Sequence, residues 1–186
     1  MNARLKFIDH LRLIRNIRTT GTISPSSSAL INELLAPIDF LEARCLVELG
    51  PGNGCITRRI LQRMHDDCIL ICLELNNDFV AQLNALNDSR LKVYNACASD
   101  IGKILEELAI DAVDHVVSSL PLAIMEKEVV QAVLTSVHAN LRDGGHFLQY
   151  QYSLNNWQDI RPVFNHSRVR FTLRNMPPAF IYECTR

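Results

Sequence analysis

Apolar and polar positions along this chain follow two periods that trade places. Short runs rich in Val, Ile, Leu and Cys at 45–49, 68–74, 91–95, 114–119, 145–151, 168–173 and 179–184 read as β-strands. Between them, at about 55–65, 77–87, 101–109, 126–141 and 156–164, apolar residues recur every three or four positions, as on one face of a helix. Two further helical segments, at about 3–17 and 27–36, precede the first strand. Alternation of this kind demands a mostly parallel sheet with helices on both faces. The last two strands are the exception. Asn175-Met176-Pro177-Pro178 between them is too short for a parallel crossover, so they form an antiparallel pair. Thr19–Ser28, rich in Thr, Ser, Gly and Pro, is the single linker-like segment. With 186 residues, 48% of them hydrophobic, the chain buries one full core and leaves little for a second.

Charge and cysteine usage narrow the setting. A net charge of −1 exerts no overall pull toward nucleic acid. No apolar run is long enough to span a bilayer, and Asn2, Arg4, Lys6 and Asp9 interrupt the start where a signal peptide would need an apolar core. The six cysteines lie mostly in apolar runs without C-x-x-C spacing, which predicts reduced, buried thiols, no metal site and a cytoplasmic protein.

The chemistry concentrates where the first strand meets its helix. Val47-Glu48-Leu49-Gly50-Pro51-Gly52-Asn53-Gly54 places three glycines at a sharp strand-to-helix turn, where a ligand can touch the backbone. Glu74 closes the next apolar run, the position at which a doubly wound fold holds ribose hydroxyls. A dinucleotide fingerprint would carry its third small residue at position 55, but the glycine comes one residue early, at Gly54. Glu48, two residues before the first glycine, suits a cationic ligand better than a pyrophosphate. S-adenosylmethionine, a sulfonium, is such a ligand, and E-x-G-x-G-x-G resembles the first motif of class I methyltransferases.

That resemblance implies a Rossmann-like seven-stranded sheet in the order 3-2-1-4-5-7-6, with the cofactor across the carboxyl ends of strands 1, 2 and 4. It also implies cofactor contacts. Glu48, Gly50, Gly52 and Gly54 would hold the methionine side, Glu74 the ribose, and Ser99-Asp100 the adenine amino group. As bare sequence, Ser99-Asp100 is equally a helix cap before Ile101.

Two segments select among methyltransferases. Val116-Val117-Ser118-Ser119-Leu120-Pro121-Leu122 ends the fourth strand, over the cofactor methyl in this architecture. Enzymes that modify nucleobase amines carry an amide or acid here and an aromatic that stacks on the base. This chain has Ser118 or Ser119 and Leu122 instead, which removes the stacking platform. Thr20 to Leu30 reads as a turn followed by a helix capped by Ser26 or Ser27. Together with Ser118-Ser119-Leu120-Pro121-Leu122, the glycine motif from Glu48 to Gly54 and Asn175 to Tyr182, it resembles the bacterial phospholipid N-methyltransferase family, over about Thr20 to Tyr182. The resemblance implies methyl transfer from S-adenosylmethionine to the amino headgroup of a phospholipid such as phosphatidylethanolamine. The same family is related to rRNA adenine dimethyltransferases. Three alternatives stay open: an adenine-N6 RNA methyltransferase, a small-molecule amine N-methyltransferase, and a cofactor-binding protein without catalysis. No DNA partner is expected, and RNA only under the first alternative.

On this reading Ser118, Leu120 and Pro121 shape the approach of the acceptor amine, with their backbone carbonyls taking its protons and Ser118 also near the cofactor. Tyr150 and Tyr152, two apart on the fifth strand, project to one side and could face a methylated ammonium or act as ordinary strand aromatics. His115 and His146 fall within strands and are poorer base candidates. His166, Arg168, Arg170 and Arg174 share one face of an edge strand, as in a charge-protected edge. Residues 1–36 form a helical lid or a membrane-docking segment. Arg4, Lys6, Arg12, Arg15 and Arg18 against Asp9 give Ala3–Arg18 a charge of +4, beside a stripe of Phe7, Leu11 and Ile14. The expectation is peripheral contact with the inner membrane surface.

Overall fold

The computed structural model describes residues 27–186. The sequence-predicted helix at 3–17, with its membrane-docking role, lies outside the described residues. The elements in chain order are α1 (Ser28–Leu34), β1 (Cys45–Leu49), α2 (Cys55–Leu61), β2 (Ile69–Leu73), α3 (Asn77–Asn84), β3 (Leu91–Tyr94), α4 (Ile101–Glu107) and β4 (Val113–Ser118). They continue through α5 (Lys127–Asn140), β5 (Leu141–Gln151), α6 (Trp157–Ile160), β6 (His166–Thr172) and β7 (Ala179–Thr185). The seven strands form one sheet in the order β3-β2-β1-β4-β5-β7-β6. All pairings through β5 are parallel, and β7 runs antiparallel to both β5 and β6. This is the sheet that the resemblance implied.

Strand alternation sorts the core into two layers. Val47, Leu49, Val116 and Phe147 point to one face, where α4, α5 and α6 cover them with Ile101, Ile104, Val133, Val137 and Ile160. Leu46, Leu70, Val117 and Leu148 point to the other, under Leu30, Ile31 and Leu34 of α1 and Ile56 and Ile60 of α2. β1 is buried along its whole length, as expected of a central parallel strand. Asp114 fixes where it begins: its Oδ2 accepts from the backbone N–H groups of Arg44 (2.6 Å) and Cys45 (2.8 Å), while Oδ1 pairs with Arg142 (2.9 Å).

Two elements depart from the periodicity. β5 starts at Leu141 rather than 145 because Gly144 N–H donates to the Arg186 carbonyl and the Gly145 carbonyl accepts from Arg186 N–H, extending the ladder through a stretch that reads as a turn. The segment at 156–164 is α-helical only over Trp157–Ile160 and tightens into a 3₁₀ turn at Arg161–Val163, where Pro162 has no N–H to continue the helix.

The charged edge strand is paired rather than open. Arg168 Nη2 and Arg170 Nε lie 2.6 and 3.5 Å from the Glu183 carboxylate, Arg170 donates to the Glu33 carbonyl, and Arg174 lies 3.6 Å from the Glu33 carboxylate. Ser27 is the cap of α1, with its hydroxyl accepting from Leu30 N–H at 3.1 Å. The same hydroxyl donates to the Arg174 carbonyl (2.7 Å), and Ser27 N–H donates to Asn175 Oδ1 (2.9 Å). Ser27 and the Asn175-Met176-Pro177-Pro178 segment therefore meet, 148 residues apart in sequence, through the Ser27–Asn175 hydrogen bond.

Asn175 is buried, and its amide also donates to the Pro177 carbonyl. Asn175→Ala strands two backbone groups and lowers unfolding free energy by about 1–3 kcal/mol. Urea denaturation checks this as a lower midpoint at unchanged slope.

Candidate functional site

The glycine turn leaves the carboxyl end of β1 beside the end of β4, at the point where the strand order reverses. Gly50, Gly52 and Gly54 all have positive φ (67°, 56° and 78°). Gly50 is the tightest of them. A Cβ there would stand 2.8 Å from Leu120 Cδ2, so the Leu120 side chain would have to turn aside, and the positive φ would strain any other residue. The Ser119 hydroxyl donates to the Gly50 carbonyl and ties the same two loops together.

Two carboxylates flank the turn in opposite electrostatic conditions. Glu74, almost buried, accepts from the Gly52 N–H on Oε2 (3.0 Å) and from the Leu75 and Asn76 N–H groups on Oε1 (both 2.9 Å). Through these three backbone donors it holds the loop, while Oε2 retains a lone pair for one more donor. Glu48 is fully buried in β1. Its Oε2 accepts from the Thr57 hydroxyl (2.7 Å) and lies 3.6 Å from Cys72 Sγ, but its Oε1 has no partner. Burial pushes its pKa up to about 7, against the smaller opposing effect of the Thr57 and Cys72 hydrogen bonds. An unpartnered carboxylate oxygen under a glycine turn suits a cation, whose arrival would favour the ionised form.

The remaining predicted residues fall around this corner. Ser99 and Asp100 lie in a 3₁₀ turn before α4. Asp100 stands at the cap position without making a cap hydrogen bond; it pairs with Lys103 (2.9 Å), so the helix-cap reading of this residue is corrected. Ser118 is fully buried, and its hydroxyl accepts from Leu120 N–H at 3.3 Å.

Of the carbonyls expected to take the amine protons, that of Leu120 is not available. The Leu120 carbonyl already accepts from Gln149 Nε2 (2.9 Å) and Gln151 Nε2 (2.8 Å), which fills both lone pairs, and the Pro121 carbonyl accepts from Ile124 N–H. Gln149 and Gln151 are the functional-site residues that sequence reading missed. Their signal was two amides on one face of the end of β5, a polar pair in a buried strand. Leu122, at the aromatic position of the nucleobase enzymes, is 1% exposed and belongs to the core.

Tyr150 and Tyr152 do project to one side and pack edge to face, with ring centroids 5.9 Å apart. That side is the α1–α2 face, where Tyr150 is part of the core. His115 and His146 stack at 5.2 Å, and burial lowers both pKa values, that of His115 to about 4. They are neutral packing residues. Among the described residues no cluster of His, Cys, Asp and Glu could hold a metal ion, and all six cysteines are free.

No family model matches the chain. It is 34% identical over 167 residues to the ornithine lipid N-methyltransferase of Singulisphaera acidiphila, covering 88% of this chain and 87% of that protein. It is 31% identical over 109 residues to the ribosomal RNA small subunit methyltransferase A of Wolbachia pipientis wMel, a match spanning 59% of this chain and 37% of that protein. In structure it resembles the 1,6-didemethyltoxoflavin-N1-methyltransferase of Burkholderia thailandensis, solved with 1,6-didemethyltoxoflavin and S-adenosylhomocysteine bound. That likeness has a TM-score of 0.72 at 12% identity and covers all of this chain and 91% of that one. The precorrin-6y C5,15-methyltransferase of Geobacter metallireducens matches with a TM-score of 0.66 at 12% identity, over 86% of this chain and 89% of that one. At such identities the structural likeness is one of fold.

The Glu48 shift has a sign that can be measured. Between the ordinary carboxyl value of 4.5 and about 7 the folded state holds a proton that the unfolded state has lost. Its contribution to stability is therefore complete below pH 4.5 and disappears as pH rises through 7. Relative to Glu48→Gln, the wild type loses stability across that window and runs parallel above it. Denaturant titrations at several pH values check this; curves parallel throughout would place the Glu48 pKa in its ordinary range.

Proposed function

The chain belongs to the family of S-adenosylmethionine-dependent N-methyltransferases that includes the Singulisphaera acidiphila ornithine lipid enzyme, and on that premise we propose that it methylates the amino headgroup of a membrane lipid. The observation that carries this reading is Leu122. In a chain matched along 88% of its length by a lipid N-methyltransferase, the position that would present a stacking ring to a base is an aliphatic side chain sunk into the core. Phosphatidylethanolamine and ornithine lipid both offer a primary amine of the required kind.

The residues present fit the cofactor. The unpartnered Glu48 Oε1 would supply a negative charge for its cationic methionine end, the glycine turn offers bare backbone, the free lone pair of Glu74 Oε2 would take a ribose hydroxyl, and Asp100, in the turn before α4, would meet the adenine amino group. When bound, S-adenosylmethionine supplies a methyl group already activated on a sulfonium. The protein's part is to hold an amine lone pair in line with it and to exclude other nucleophiles. Ser119 and Leu120 fix the acceptor side of the corner against Gly50, so donor and acceptor loops keep one distance.

Among the described residues no helix is long and apolar enough to cross a membrane. We place the protein as a peripheral one on the cytoplasmic membrane surface, supported by the +4 charge of Ala3–Arg18.

Two outcomes test this. Glu74→Ala removes the ribose acceptor and the anchor of Gly52, and cofactor affinity falls by tens-fold, on the order of 1–3 kcal/mol, in calorimetry. Unchanged affinity would remove Glu74 from the site. With labelled S-adenosylmethionine, incorporation into vesicles containing phosphatidylethanolamine or ornithine lipid exceeds incorporation into ribosomal RNA or small soluble amines. Label recovered as methyladenine would make the protein an RNA enzyme, the activity named for its Wolbachia relative.

A further inference from the structure

The donors gathered at the Leu120 carbonyl leave one acceptor over. Gln149 is fully buried in β5, beside Ser118 of β4 in the parallel register. Its Nε2 donates to the carbonyls of Leu120 (2.9 Å) and Tyr150 (2.7 Å). Only the NH₂ end of an amide can face two carbonyls, so the side chain has one orientation. Its Oε1 lies on the opposite edge of that amide, sealed from solvent and without a hydrogen-bond partner. Gln151 supplies the second donor to Leu120, and Leu120 packs on Gly50. A buried amide oxygen without a donor costs stability, and a ligand N–H brought to it recovers that cost.

We propose that Gln149 recognises the acceptor amine, with Oε1 accepting a hydrogen bond from an N–H of the lipid headgroup. This rests on the acceptor being a lipid amine. It replaces the Leu120 carbonyl, which the two glutamines have saturated, as the group that reads the nitrogen. Gln151 acts differently: its side-chain amide donates to the Leu120 carbonyl and steadies the loop, so it is a positioning residue.

The arrangement carries its own specificity. A primary ammonium and a quaternary ammonium bear the same charge, but only the first has an N–H to give. Gln149 therefore distinguishes the unmethylated headgroup from the fully methylated product by hydrogen bonding alone. The product finds Oε1 unsatisfied again, which favours its release.

The test measures binding to the full chain with S-adenosylhomocysteine present, using monomeric short-chain phosphatidylethanolamine and phosphatidylcholine as probes. The wild type binds the primary amine more tightly than the quaternary one. Gln149→Leu gives up its hold on the Leu120 carbonyl and so weakens both probes as Gln151→Leu does, but it weakens phosphatidylethanolamine binding about tenfold more than phosphatidylcholine binding, the loss of one charge-assisted hydrogen bond. Gln151→Leu weakens both alike. Gln149→Met, closer in shape, repeats the measurement if the leucine variant does not fold, and S-adenosylhomocysteine affinity reports the integrity of the cofactor side. A wild type that binds both probes equally, or a Gln149 variant that weakens both alike, overturns the assignment. Failure of the underlying reading shows separately, as an absence of methyl transfer from the wild type to any lipid amine.

Discussion

The contact between Gly50 and Leu120 is the constraint on which the site depends. Two loops leaving neighbouring parallel strands converge there, the Leu120 side chain occupies the space beside Gly50, and the Ser119 hydroxyl donates to the Gly50 carbonyl across the same gap. Because Leu120 is also gripped by Gln149 and Gln151, the ends of β1, β4 and β5 form one corner. Group transfer needs a donor and an acceptor at a fixed separation, and a misplacement of about 1 Å can cost two orders of magnitude in rate. Here the separation is set by packing and hydrogen bonds between the loops themselves, before any ligand arrives.

Glu48 and Glu74 show how the same side chain is given two functions by its surroundings. Glu74 receives three backbone N–H groups, through which it orders the glycine turn. Glu48 receives a hydroxyl and a distant thiol while losing all contact with water, and one of its oxygens is left with nothing. The first is a finished piece of structure with a spare lone pair. The second is an unbalanced charge site whose cost falls when a cation is brought to it.

Most of the fold was legible because it is governed by periodicity. All seven strands fall within a few residues of their sequence-predicted positions, and the exceptions have local causes: Gly144 and Gly145 hide the start of β5, and Pro162 cuts its helix short. Elements of the candidate site were legible where a single residue type has a backbone reason, as with Gly50, or where an acid ends an apolar run, as with Glu74. The Leu120 carbonyl was misread because a proline turn announces freed carbonyls without revealing what fills them. The answer lay on another strand 29 and 31 residues away, and no local pattern carries that pairing. Tyr150 was ambiguous for a related reason: alternation fixes that it shares a face with Tyr152, but which face meets the α1–α2 layer is decided by the whole sheet.

The β4 loop also bears on which acceptors the fold can serve. In a base-modifying enzyme an aromatic must stand clear of the core to stack on a flat ring. Here a 3₁₀ turn over Leu122–Ile124 tucks Leu122 inward and leaves Ile124 43% exposed, while Leu154, just after β5, is 47% exposed. An aromatic placed at 122 would meet the core rather than a ligand. The loops following β4 and β5 thus present aliphatic surface where a base would need a plane. Such a surface gives no orientation to a ring but suits the flexible, partly apolar neighbourhood of a lipid headgroup. The polar corner beneath holds a saturated Leu120 carbonyl and an unpartnered amide oxygen at Gln149, and on the proposed reading orientation comes from the amine nitrogen that this oxygen would meet rather than from the plane of a ring.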